Sequence, residues 1–290
     1  MGVYGLFLIN GLAVGAIYAL SGVGLVVLYR ATGVLNLAYG AIGAAGAMSA
    51  WQIMQWGWSE AVGWIVALAL ATALSVGYGR LLAPHLAYRE PVVKAVATLG
   101  FAMMILALMN WTWVESPRRL SLATDGFVVT LLGMRVTGTR LLAFAAAIAV
   151  TAGIAVFLMT TRTGLRMRAL ANNRDLSSLL GVPVGRVETV AWLISGLLAG
   201  FSGLMFGDLV RLNPTVLTFL VIPAIAAAIV GRLESLVFAL AGGLLIGVVE
   251  SMATLVKPIA PYRAAAPFVV AVLLMLWFQR NRRLTFSGRD

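Results

Sequence analysis

At 290 residues, with 61% hydrophobic and only 11% charged positions and a mean hydropathy of +0.99, this chain cannot close a core and still present a soluble surface. The composition describes an all-α, polytopic bundle of membrane-spanning helices, with room for about eight to ten crossings of roughly 20 residues and no separate soluble domain. There is no cysteine, which excludes disulfides, thiol catalysis and Cys-ligated metal. The net charge of +11 does not point to nucleic acid, because the arginines sit in short loops beside apolar runs.

Apolar runs lie at residues 6–29, 34–55, 62–82, 95–114, 141–159, 189–207, 217–230, 236–256 and 264–278, which predicts nine spans in one transmembrane domain over 1–290. The start, Met1-Gly2-Val3-Tyr4-Gly5, lacks the basic flank of a signal peptide, so the first run reads as a retained span. The seventh run is short and contains Pro223, which predicts a broken or re-entrant helix. With the N-terminus outside and nine crossings, two-thirds of the 21 Lys and Arg fall on the cytoplasmic side together with the C-terminal tail, as the positive-inside rule requires. Trp51, Trp56, Trp58, Trp64, Trp111 and Trp113 then gather at the outer interface and Trp192 and Trp277 at the inner one, next to membrane lipid.

Glycine supplies the packing expectation. Gly11 and Gly15, Gly196 and Gly200, Gly203 and Gly207, and Gly243 and Gly247 are each four apart, and residues 40–47 are almost all Gly or Ala. In lipid no hydrophobic force drives helices together, so close backbone approach across small residues does that work. Residues 163–188 form a long polar, Arg-rich loop in mid-chain. Asp175 is the expected cap of a short helix over 176–180, with Gly181 and Pro183 ending it. Leu165 and Ala169 are expected to share a face with Leu176 and Leu180, away from Arg166, Arg168 and Arg174.

Few polar groups sit well inside the runs: Asn10, Asn36, Asn110, Ser195 and Glu250. A carboxylate within hydrocarbon costs about 2.5–3.5 kcal/mol, so Glu250 needs a partner, a proton or water, as a pathway residue or as a brace between helices.

Four segments resemble the LivH-like membrane subunits of branched-chain amino-acid type bacterial ABC importers, a family that also serves urea and short amides. They are Asn10-Gly11-Leu12-Ala13-Val14-Gly15-Ala16-Ile17-Tyr18-Ala19-Leu20, Gly33-Val34-Leu35-Asn36-Leu37-Ala38-Tyr39-Gly40, the loop from Gly164 to Val182, and the stretch from Ala241 to Glu250. Members of that family often carry His at the position of Tyr39, an acidic residue at Ala41, and more glycines in the turn Gly231-Arg232-Leu233-Glu234-Ser235. The resemblance implies a permease, not an enzyme, that moves a small polar solute such as a branched-chain amino acid across the inner membrane. It implies a coupling loop at Gly164, Arg166, Arg168, Ala169, Asp175, Leu176, Leu179, Leu180 and Gly181. Asn10, Asn36, Tyr39 and Glu250 are the pathway or gating candidates. It further implies two ABC ATPase subunits using ATP and Mg, a second permease subunit (LivM-like or a second copy), and an extracytoplasmic solute-binding protein. No cofactor or metal is expected in this chain, whose sequence contains no Gly-x-x-x-x-Gly-Lys-Ser/Thr phosphate loop. A proton-coupled secondary transporter is the alternative, disfavoured because only Glu250 is ionisable deep in a run.

Overall fold

The computed structural model describes residues 2–113, 118–131, 134–258 and 260–279. Six helices within it are long and apolar enough to cross a bilayer: α1 (Gly2–Thr32), α3 (Glu60–Leu81), α4 (Pro91–Thr112), α5 (Gly138–Thr160), α8 (Val184–Leu209) and α11 (Leu236–Ala253). Shorter apolar helices are α2 (Tyr39–Gln55), α9 (Pro214–Thr218), α10 (Val221–Val230) and α12 (Ala266–Gln279). Two polar helices, α6 (Arg162–Asn172) and α7 (Arg174–Leu179), make up most of the mid-chain loop. The predicted basic tail, 280–290, lies outside the described residues.

α1 is apolar all round, and a helix of that kind belongs in the interior. Ala16, Ile17, Leu20, Val23, Leu25 and Leu28 are fully buried along it, enclosed by α5, α8, α10 and α11. The glycine pairs explain how neighbours come so close. A Cβ on Gly11 would lie 2.8 Å from Gly247 O and Val248 Cα, and one on Gly15 would lie 2.9 Å from Gly243 O. Gly243 and Gly247 return the contact against Ala19 and Gly15, so α1 and α11 touch backbone to backbone. Gly196 and Gly200 serve the same purpose between α8 and α3, against Ser75 Cβ at 2.7 Å and Ala71 Cβ at 2.9 Å. Gly207 instead lies beneath the Leu212 side chain.

α2 is small-residued because it faces three neighbours at once. Gly40 abuts Thr218 O at the end of α9, Gly43 lies 2.5 Å (as a Cβ) from Ala199 O of α8, and Gly46 lies 2.8 Å from Ala67 O of α3. Every residue from Tyr39 to Met48 is buried.

The bundle has two distinguishable ends. At one, a hairpin of β1 (Val128–Leu131) and β2 (Met134–Thr137) pairs antiparallel with Val128 opposite Thr137. Val128, Val129, Thr130, Val136 and Thr137 give this stretch the β-branched composition that favours strands. Three carboxylate and backbone contacts fasten this cap: Leu122 N donates to Asp208 Oδ1 at 3.1 Å, Ala123 N to Glu60 Oε2 at 2.6 Å, and Arg118 and Leu212 exchange backbone bonds at 3.0 Å. The other end holds α6 and α7. Trp192, expected in an interfacial belt, is instead fully buried against Tyr78, with ring centroids 5.2 Å apart. It fills the space left by Gly79, whose bare Cα faces the indole. Trp56, Trp58, Trp111 and Trp277 are exposed, as an interfacial position requires.

Candidate functional site

Two of the apolar runs are not continuous helices. The second was expected to be helical from residue 34, yet α2 begins only at Tyr39. Gly33, at φ +66°, ends α1 with its N–H on Tyr29 O at 2.7 Å. Residues 34–38 then turn back beside the bundle as non-helical chain. The start of α2 is level with the middle of α8, because Gly24 has both the Tyr39 ring (3.0 Å) and Leu198 (3.3 Å) against its Cβ position. Residues 33–36 have no regular structure and 37–38 form a turn, with Ala38 already in the helical region and Tyr39 N on Asn36 O at 3.3 Å. Chain of this kind is tolerated at membrane depth only when protein satisfies its backbone. Here Thr98 of α4 does so: its hydroxyl accepts from Leu37 N at 3.0 Å and lies 3.1 Å from Leu35 O. Asn36 Oδ1 accepts from Ala38 N at 3.0 Å.

The seventh run is interrupted, as Pro223 and its shortness suggested. α9 ends at Thr218, Phe219 and Leu220 form a turn, and α10 resumes at Val221. Because Thr218 O lies against Gly40, the two interruptions meet at mid-bundle. Buried polar groups collect at the same place. The Tyr39 hydroxyl faces those of Ser21 and Ser202. Asn36 Nδ2 is buried and has no hydrogen-bond partner among the described residues. Leaving such a group unsatisfied costs about 1–3 kcal/mol, a cost concentrated at functional sites. Asn36 and Tyr39 of this cluster are candidates from the sequence, whereas Ser21, Thr98, Ser202 and Thr218 are not, since single hydroxyls in apolar runs carry no pattern.

The other two pathway candidates are not brought there. Asn10 and Glu250 lie in the hairpin-end half of the α1–α11 contact. Tyr18 donates to Glu250 Oε2 at 2.9 Å, and Ser251 donates to Phe7 O at 2.6 Å one residue on. Side chains lean toward the N-terminus of their own helix, and on antiparallel helices that makes Tyr18 and Glu250 lean toward one another.

The mid-chain loop folds as two helices at an angle set by Asn173, whose backbone is extended. Thr161 caps α6 by accepting from Gly164 N at 3.0 Å. Gly164 must be glycine because Phe157 O and Leu158 occupy the position of a Cβ. The cap of α7 is Asn173, which accepts from Leu176 N at 2.9 Å. Asp175, the expected cap, lies in the first turn instead, where its charge still favours the helix dipole. Gly181 at φ +80° ends the element as anticipated. Met167, Leu170 and Ser177 face inward, while Leu165, Ala169, Leu176, Leu179 and Leu180 are exposed, Leu179 by 83%. Arg166 and Arg168 are exposed, and Arg168 lines a cavity shared with α1 and α4. Arg174 is ion-paired with Glu188.

The family described as the permease component of the branched-chain amino acid transport system matches residues 7–278 of the chain. The chain belongs to this family. The permease is 23% identical to the high-affinity branched-chain amino acid transport permease LivH of Escherichia coli K12 over 288 residues, covering 92% of this chain and 91% of that one. It is 24% identical to BraD of Pseudomonas aeruginosa, covering 93% and 92%. It is 27% identical to a probable LivH of Methanocaldococcus jannaschii, covering 80% and 75%. No solved structure matches it significantly. With its apolar helices, the permease is a multi-pass membrane protein.

The turn after α10 gives a physical reason for glycines there. In the permease Arg232 and Leu233 hold φ of 54° and 55°, a left-handed backbone that costs non-glycine residues about 1–2 kcal/mol each. Leu233 N bonds Ala228 O at 2.9 Å and Arg232 N bonds Ile229 O at 2.7 Å, which ends α10 and compensates part of that cost.

Glu250→Gln is expected to leave uptake unchanged across pH, because an amide oxygen accepts the same bond from Tyr18. Transport assayed from acid to alkaline pH checks this. A loss that varies with pH in the wild type and vanishes in the variant would assign Glu250 to a hydrated pathway.

Proposed function

We propose that the permease is the membrane-spanning subunit of an ATP-driven importer for a branched-chain amino acid or a similar small polar solute, in the bacterial inner membrane. Its N-terminus faces outside, and α6 and α7 lie in the cytoplasm with the C-terminal tail. ATP and Mg are used on two separate ABC ATPase subunits that dock on α6 and α7. A second permease subunit, LivM-like or another copy, completes the pathway, and an extracytoplasmic binding protein delivers the solute.

The observation that carries this reading is the exposed leucine surface of α7, formed by Leu176, Leu179 and Leu180 on a polar element. Exposed apolar clusters on polar elements are docking surfaces. The paired interruptions supply the movable part. Helices broken near mid-membrane are where transporters bind and switch, and two short pieces can shift without unpacking whole spans. ATP-driven closure of the motor moves α6 and α7, of which α6 reaches α5 through Gly164 and α1 through Met167, and the pathway passes from outward- to inward-facing.

Uptake into proteoliposomes is expected only when the co-purifying ATPase and ATP are present, with reporters at Gly5 and Ser59 reading outside and at Asp175 inside. Uptake by this chain alone, driven by a proton gradient, would establish the secondary-transporter alternative.

A further inference from the structure

We propose that the cavity between the loop ends of α1 and α4 and the α6–α7 hinge binds a phosphate group, presented by an anionic lipid headgroup or free in solution. The cavity has a volume of about 560 Å³, and its wall includes Arg30, Lys94, Arg168 and Arg174, with Glu234 as the carboxylate among them. That size suits a headgroup.

Two of these cations are already committed. Arg174 is paired with Glu188, and Arg30 Nη1 donates to the Glu234 backbone oxygen at 3.1 Å. Lys94 and Arg168 have no ion pair among the described residues. Four cations around one hollow repel one another, and an anion between them relieves that repulsion. Guanidinium groups give phosphate a planar fork of donors and a lysine adds a point charge. Arg30 remains able to join them, since a guanidinium carries five donors.

The position of the cavity fits a membrane surface. Arg30 is in the last turn of α1 and Lys94 in the first turn of α4, both at the end of an apolar span. Next to Lys94, α4 exposes Val92, Val93 and Val96, a face suited to acyl chains. Basic pockets between helices at this depth bind lipid phosphates. Tyr29, Leu170 and Leu233 supply apolar wall for the glycerol portion. Because Arg168 and Arg174 flank the α6–α7 hinge, an occupied site would brace the loop against α1. The inference does not depend on the transport reading, since it concerns binding alone.

The test measures thermal unfolding of the purified full-length chain in detergent with phosphatidylglycerol, phosphatidylcholine or inorganic phosphate added. Phosphatidylglycerol is expected to raise the midpoint and phosphatidylcholine to leave it unchanged. Lys94→Gln with Arg168→Gln should weaken the effect by roughly thirtyfold in lipid concentration, at about fivefold per cation removed. Lys94→Gln alone is the milder variant should the double substitution fail to fold, and Arg166→Gln, outside the cavity, should bind as wild type. A matching gain from inorganic phosphate, lost in the same variants, assigns the site to a free anion. A gain from lipid only assigns it to the headgroup. No gain from either source, or an equal gain in wild type and variants, overturns the proposal.

Discussion

Gly243→Leu is expected to abolish the folded permease. The new side chain has nowhere to go: its Cβ alone would overlap Ala19 N and Cα, and these are backbone atoms that no rotamer can move. Separating α1 from α11 would break the Tyr18–Glu250 and Ser251–Phe7 bonds and expose the central helix along its most tightly packed seam. Overpacking ordinarily costs about 1–3 kcal/mol, and more where the neighbour is rigid. Against a typical total of about 5–15 kcal/mol, the expected outcome is aggregated protein on size-exclusion chromatography after membrane extraction. Gly100→Leu and Gly153→Leu provide the contrast. Both glycines are helical and exposed with nothing within 4 Å of a Cβ position, so each should elute as wild type with stability changed by no more than about 1 kcal/mol. Equal behaviour of all three variants would refute backbone contact as the basis of the bundle.

The second large effect is on coupling and leaves the fold intact. Leu179 is 83% exposed, so Leu179→Glu disturbs nothing within this chain and should insert and purify normally. In the docked state the same carboxylate is buried without a partner, at about 3–5 kcal/mol, or on the order of a hundred- to several-thousandfold in affinity. The ATPase should be lost during co-purification, and ATP-driven uptake with it. Retention of both would remove α7 as the docking element.

Much of the architecture was legible because lipid leaves few choices. The apolar runs at 62–82, 95–114, 141–159 and 189–207 coincide within a few residues with α3, α4, α5 and α8, since length and hydropathy decide a continuous span. The glycine spacing foretold close helix packing, and which helices pair, α1 with α11, came only from the structure. The run at 34–55 misled because hydropathy reports residence in lipid and is blind to backbone conformation. What makes 34–38 non-helical is Gly33 on one side and the Thr98 hydroxyl on the other, and Thr98 is sixty residues away in sequence. The cap of α7 went to the wrong residue because Asn173 and Asp175 are both good caps, and only the extended backbone of Asn173 separates them. Trp192 was misplaced for a similar reason: its position near the end of a run looked interfacial, while the void over Gly79 that receives it depends on another helix. Among the site candidates, the exposed leucines of α7 were readable from turn chemistry, and the hydroxyls around Tyr39 were not.

The non-helical stretch at 34–38 has a mechanical consequence. A helix carries its own stiffness in its hydrogen-bond ladder, whereas this stretch is held by separate side-chain bonds, from Thr32 and Asn36 locally and from the Thr98 hydroxyl on α4. α4 otherwise touches little beyond α2 and α9 and shows most of its girth to the outside. Whatever seats against that outer face therefore holds a lever on the middle of the membrane: a shift of α4 along its axis tugs Leu35 and Leu37 directly, and α2 with them, while the glycine-locked seam of α1 and α11 stays still.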